Sequence, residues 1–191
     1  YHWLAAISSD GEYIAAAAHN TDNQRIYLFD KDSSTPLWSY DVEGNVELVA
    51  ISADGEYIVA AGNFISYDIS EEATHHGVVY LFDKDSNTPL WISDTEDTEN
   101  YENVRSVAIS ADGEYIVAGY HNESNAGIVS LFNKASSTPL WNYNHEYYGS
   151  VNHVAISADG EYIVAGTDGN RVYLFDKDSS TPLWSYDVED N

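Results

Sequence analysis

One unit is written four times in this chain of 191 residues, and that repetition leaves few folds open. The first copy opens YHWLAAISSDGEYIAAA and closes RIYLFDKDSSTPLWSYDVEGN, and the second runs from VELVAISADGEYIVAAG to VVYLFDKDSNTPLWISD. The third carries VRSVAISADGEYIVAG and IVSLFNKASSTPLWNY, the fourth VNHVAISADGEYIVAG and RVYLFDKDSSTPLWSYDVEDN. Trp38, Trp91, Trp141 and Trp184 stand 53, 50 and 43 residues apart, around the period of a four-stranded repeat unit. Runs of four to seven β-branched, aromatic and small apolar residues, separated by turn residues, predict four short strands a to d in each copy. Strand a (VAIS) meets b (EYIVA) across Asp10-Gly11, Asp54-Gly55, Asp112-Gly113 and Asp159-Gly160, where glycine supplies the positive φ of a tight hairpin. Strand c (VYLF) meets d (LW) through DKDSSTP, whose Asp, Ser and Thr side chains can bond the turn backbone and whose proline fixes the start of d. No segment shows a sustained helical apolar period, so the chain is expected to be all-β, with stacked sheets of antiparallel hairpins.

The unit VAISADGEYIVAG followed by VYLFD resembles the first three strands of a WD-repeat blade. The stretch VYLFDKDSSTPLW is similar to the tryptophan-docking stretch of quinoprotein-type (pyrroloquinoline-quinone) repeats, with proline where that type has glycine, and no copy ends in Trp-Asp. The resemblance covers nearly the whole chain. It implies a β-propeller of four four-stranded antiparallel blades in a single domain, 1–191, with blades at about 1–45, 46–102, 103–149 and 150–191. It does not imply an activity, because propellers host enzymes, binders and scaffolds alike.

Composition narrows the functions. Asp and Glu number 32 against 7 Lys and Arg, a formal charge of −25, which repels phosphate backbones and anionic lipid. Nucleic acid is therefore a poor partner. The same surplus makes the folded state repel itself, which fits a saline setting, bound divalent cations, or a plainly acidic surface. With no cysteine, disulfides, thiolate metal sites and cysteine nucleophiles are excluded. No stretch approaches the roughly 18 uninterrupted apolar residues of a membrane span. Methionine is absent, position 1 included, so an upstream segment is expected to have been removed. Signal-peptide cleavage is the simplest cause, placing the protein outside the cell or on its surface, and excision from a longer chain is the rival.

In an up-and-down blade the a–b and c–d turns emerge on one face of the disc, the b–c and d–a loops on the other. The first face carries ADGEY and DKDSSTP almost unchanged, whereas the second varies: NFISYDISEEATHHG, YHNESNAG and TDGN are its b–c loops, SDTEDTENYEN and NYNHEYYGS two of its d–a loops. All seven histidines map to this variable face. One reading gathers Tyr67, Asp68, Glu71, Glu72, His75, His76, Tyr101, His121, His145, Tyr147 and Tyr148 into a binding face, imidazole and carboxylate for a transition metal, tyrosine and acid for sugars or cationic peptides. The other reading is a polar loop face with no common ligand. A second candidate is Ca²⁺ at the c–d turns, where Asp30 and Asp32, Asp83 and Asp85, and Asp176 and Asp178 offer hard oxygens at alternate positions. The third copy keeps its SSTPLW with Asn133 and Ala135 in their place, which favours a turn held by backbone bonding. Asn122-Glu123-Ser124 is a glycosylation sequon, used only on export through a glycosylating pathway.

Each blade reads as complete in itself, and DVEDN at the end matches the DVEGN that leads from the first copy into the second. Three arrangements stay open: a closed four-bladed ring, half of an eight-bladed ring, or an arc in a head-to-tail polymer. The expected function is a non-enzymatic structural and interaction propeller whose partners are itself or other surface proteins and glycans, with no resident cofactor beyond Ca²⁺. A carbohydrate- or calcium-dependent adhesion module is the alternative. A quinoprotein-like enzyme is the third reading, against which stands the lack of any nucleophile elbow, phosphate loop or metal-protease spacing.

Overall fold

The computed structural model of the protein describes residues 2–19, 24–42, 44–67, 73–95, 102–122, 126–144 and 149–188. Among them, sixteen strands form four four-stranded antiparallel sheets, each from consecutive chain, and there is no helix. Blade 1 holds β1 (His2–Ile7), β2 (Tyr13–His19), β3 (Gln24–Asp30) and β4 (Trp38–Asp41). Blade 2 holds β5 (Asn45–Ile51), β6 (Tyr57–Tyr67), β7 (Ala73–Asp83) and β8 (Trp91–Asp94). Blade 3 is β9 (Glu102–Ile109), β10 (Tyr115–Asn122), β11 (Gly127–Asn133) and β12 (Trp141–Asn144), and blade 4 is β13 (Val151–Ile156), β14 (Tyr162–Thr167), β15 (Arg171–Asp176) and β16 (Trp184–Asp187). This is the blade architecture that the repeats predict, and in each sheet the strands lie in chain order.

Every a–b hairpin is held by one small network. Ser8 Oγ donates to Asp10 Oδ1 at 2.6 Å and accepts from the Tyr13 N–H at 3.0 Å, while Asp10 Oδ1 accepts the Glu12 N–H at 3.0 Å. Ser52, Ser110 and Ser157 repeat it with Asp54, Asp112 and Asp159. The Ser8 hydroxyl, then the Glu12 N–H, hold the Asp10 carboxyl below the usual carboxylate range. The glycines that follow the aspartates have φ of 77°, 76°, 72° and 73°, as the tight hairpins require.

Strand side chains alternate between two faces, and both faces of the inner blades are apolar. Ala15, Ala17, Ile26 and Leu28 of blade 1 pack on Val46, Ile58, Ala60 and Phe82 of blade 2, all buried. The opposite face of blade 2 gives Val59, Ala61, Val79 and Leu81 to a second core with Val104, Ile116, Ala118 and Phe132 of blade 3. Val117, Val129 and Leu131 of blade 3 meet Val154, Ile163, Ala165 and Phe175 of blade 4 in a third. The core is thus three equivalent layers between four sheets.

The b–c connection of blade 2 differs from its sequence reading as a long loop. β6 and β7 run on as a ladder pairing Phe64 with His76, Ile65 with His75 and Tyr67 with Ala73. The strand-forming Phe64, Ile65 and Tyr67 extend the pairing, and the Phe64 ring folds back over Gly44, where a Cβ would come within 2.7 Å of it.

Candidate functional site

Three contacts recur wherever one blade meets the next. The first is an indole: Trp38 Nε1 donates to the Lys84 carbonyl at 2.7 Å, Trp91 Nε1 to the Lys134 carbonyl at 2.9 Å and Trp141 Nε1 to the Lys177 carbonyl at 2.7 Å. Each indole lies on the next blade's phenylalanine, with ring centroids 5.4 Å apart for Trp38 and Phe82, 5.5 Å for Trp91 and Phe132, and 5.4 Å for Trp141 and Phe175. The second is a ladder of a–b turns, in which the Ser9 N–H donates to Ala53 O at 2.9 Å, Ala53 N–H to Ala111 O at 3.0 Å and Ala111 N–H to Ala158 O at 3.0 Å. In the third, the first tyrosine of strand b covers the turn glycine of the next blade. A Cβ on Gly55, Gly113 or Gly160 would stand 2.5, 2.2 or 2.6 Å from the ring of Tyr13, Tyr57 or Tyr115.

Blade 4 presents the donor half of all three contacts and blade 1 the acceptor half, and neither half is engaged. Trp184 and Tyr162 are each 49 % exposed and Tyr186 is 64 % exposed, although their counterparts in blades 1 and 3 are partly buried. On blade 1, Ile7 is 61 % exposed, and Ile14 and Phe29 are only partly buried, where Ile58 and Phe82 of blade 2 are at 0 %. Among the described residues the Trp184 Nε1–H and the Ala158 N–H donate to no acceptor, and no ring lies within 4 Å of a Cβ built on Gly11. The two faces that meet three times inside the chain are both left open at its ends.

The variable loop face lies only in part among the described residues. His76 Nδ1 lies 2.5 Å from Asp94 Oδ1 and is buried within blade 2, its ring 5.6 Å from Phe64. His121 Nδ1 is 2.6 Å from Ser150 Oγ across the junction of blades 3 and 4, and His153 Nδ1 is 3.4 Å from Ser106 Oγ at the same junction. The strand placement alone is described for Tyr67, His75 and Asn122, which lie on β6, β7 and the end of β10. Asp68, Glu71, Glu72, Tyr101, His145, Tyr147 and Tyr148 lie outside the described residues. Among the described residues no group of three or more His, Asp or Glu is placed to hold a metal ion.

Burial holds His121 below the ordinary imidazole range, with the Arg105 charge acting the same way and Asp168 against it. As pH falls, the unfolded chain takes up this proton before the folded one does. Its effect on stability is therefore nil above about pH 6.5 and is a loss below it. The thermal midpoint is expected to drop between pH 7 and 5, and His121→Gln to lessen the drop; superimposable pH profiles would contradict this role.

The c–d turn carboxylates have structural tasks. Asp30, Asp83 and Asp176 each accept, through Oδ1, the N–H two residues on, that of Asp32, Asp85 and Asp178, at 2.8, 2.9 and 2.9 Å. Asp32, Asp85 and Asp178 pair instead with the neighbouring Lys31, Lys84 and Lys177. Asn133 Oδ1 bonds the Ala135 N–H at 2.9 Å in the same way, so the turn needs no charge there. Lys31, Lys84, Lys134 and Lys177 also bridge to Glu12, Glu56, Glu114 and Glu161, and Arg25 and Arg171 pair with Asp41 and Asp187. Six of the seven basic residues are thus committed within their own blades, leaving the acidic surplus unscreened by protein.

Residues 3–145 match the family described as outer membrane protein assembly factor BamB, whose repeat is of the pyrroloquinoline-quinone type. The chain belongs to this propeller-repeat family. Within it, residues 137–176 also match the WD domain, G-beta repeat, so both resemblances read from the blades hold. A comparison with curated proteins finds no match. Propeller repeats of these two kinds make the chain a β-propeller of the protein-interaction type. No helix among the described residues is long and apolar enough to cross a membrane. The sequence reading singled out the docking tryptophans and turn glycines but passed over the serine two residues before each turn aspartate and the lysine carbonyls that accept the indoles.

Proposed function

We propose that the chain is a non-enzymatic structural and interaction propeller of the cell exterior or surface, and that it assembles head to tail through blades 4 and 1. One observation carries this: the Trp184 face and the Ile7 face are exposed, whereas the equivalent faces are packed together at three internal junctions. Exposed apolar faces seek a partner, and a partner of complementary shape already exists on the same chain. The uncompensated charge of −25 suits a saline exterior, because salt screens the repulsion between like-charged chains. The screening length falls from about 10 Å at 0.1 M to about 3 Å at 1 M. Light scattering is therefore expected to give masses above the chain's 21.2 kDa, rising with protein concentration and with NaCl. A mass that stays at one chain through 2 M NaCl would overturn the reading.

A further inference from the structure

We infer that Arg105 and His121 form a binding site for a carboxylate group, on the variable face where blade 3 meets blade 4. The site lies within one chain and does not depend on head-to-tail assembly. In blades 2, 3 and 4 the first strand carries a bulge that leaves one residue out of its ladder: Glu47 between Val46 and Leu48, Arg105 between Val104 and Ser106, and Asn152 between Val151 and His153. A bulge re-aims its side chain, here toward the end of the second strand. Asn63 Nδ2 donates to Glu47 Oε2 at 3.4 Å, and Asn152 Nδ2 donates to Asp168 Oδ1, so blades 2 and 4 set a donor against an acceptor. The same two places in blade 3 hold Arg105 and His121, and the Arg105 charge acts on the imidazole. Two basic groups stand where the sister blades have a bonded pair.

The acceptor that would satisfy them is not found among the described residues. The other six basic residues each hold a carboxylate of their own blade, whereas Arg105 is exposed and pairs with none of the described acids. Asp168, whose charge reaches His121 from the end of β14, is already bonded by Asn152. His121 Nδ1 lies 2.6 Å from Ser150 Oγ, just ahead of β13, and His153 of β13 turns to Ser106 instead. When the buried Ser150 hydroxyl donates to Nδ1, the ring hydrogen sits on Nε2, which makes no bond among the described residues. A guanidinium fork beside an imidazole N–H suits a carboxylate through charge-assisted bonds. One positive charge at neutral pH matches one carboxylate, and the acidic surplus of the chain disfavours a dianion. Burial and Arg105 hold His121 neutral, and a bound carboxylate opposes both, so binding takes up a proton and tightens as pH falls from about 7.5 to about 6.

Side-chain NMR of the dilute chain tests the site, with sodium acetate and sodium glucuronate as probes, glucose as the neutral control and sodium sulfate as the dianion. Both acids are expected to shift the Arg105 Nε–H and the His121 ring saturably, with dissociation constants on the order of 1–10 mM, and to raise the His121 titration midpoint. Glucose is expected to shift neither. Equal affinity for the two acids supports a site that reads the carboxylate alone, and tighter glucuronate supports one that takes an acidic sugar. Arg105→Gln is expected to weaken binding at least about tenfold with the thermal midpoint unchanged, since the side chain is exposed. Arg105→Glu restores an acceptor like that of blade 2, so it should abolish binding and raise the His121 midpoint without any probe. Shifts that do not saturate, or undiminished binding in Arg105→Gln, would overturn the site. Sulfate that binds more tightly than acetate would overturn its assignment to a carboxylate.

Discussion

Trp91→Ala is expected to destabilise the folded chain by about 3 kcal/mol, a drop of roughly 10 °C in the thermal midpoint, while Trp184→Ala shifts the isolated chain by less than about 0.5 kcal/mol. The two residues occupy the same place in their blades. Trp91 stacks on Phe132 and donates to the Lys134 carbonyl, so its removal leaves a hole between blades 2 and 3 and an acceptor without its donor. Among the described residues Trp184 makes no such contact, and half of it is already in water. Its loss should appear in assembly instead: Trp184→Ala is expected to stay at one chain mass where the unsubstituted protein associates. Equal thermal losses at the two positions would mean that Trp184 is already docked within its own chain.

Glycine substitution at the a–b turns makes the second comparison. Gly113→Val is expected to cost about 2–5 kcal/mol, because a β-branched residue at a φ of 72° costs about 1–2 and overpacking against Tyr57 adds about 1–3. A Cβ there would stand 2.2 Å from the Tyr57 ring, so the blade 2 to blade 3 junction must open. Gly11→Val carries the backbone strain alone, at a φ of 77°, since the nearest atom to a Cβ is on Ile7 at 4.0 Å. Its expected cost in the dilute chain is about 1–2 kcal/mol. At concentrations where chains associate it should also block the seat for Tyr162. Denaturant melts of both variants read the difference directly, and equal costs would contradict an uncovered Gly11.

The blades were legible in the sequence because their signals are local. An Asp-Gly pair between strand-forming runs signals a hairpin, and DKDSSTP closes the next one through its own side chains, as the Asp30 and Ser33 bonds do. The docking role of the tryptophans was legible from their repetition. What the indoles bond was not, since a lysine carbonyl on the next blade has no mark in the sequence. The histidines expose the same limit. Their place at the strand ends fixes the face of the disc they occupy, but the angle around it is set by blade packing, which sends His76 to Asp94 and His121 to Ser150. The hairpin of blade 2 read as a loop because its polar tip masks the strand-forming Phe64, Ile65 and Tyr67. Ring closure escaped the sequence entirely, because rotation per blade depends on how deeply side chains interlock across three cores.

Counting blades in face-on electron micrographs of the chain in 1 M NaCl tests the central claim most directly. The account predicts assemblies of more than four blades, with blade 4 of one chain seated on blade 1 of the next. Closed discs of four blades would contradict it, as would solitary four-bladed arcs.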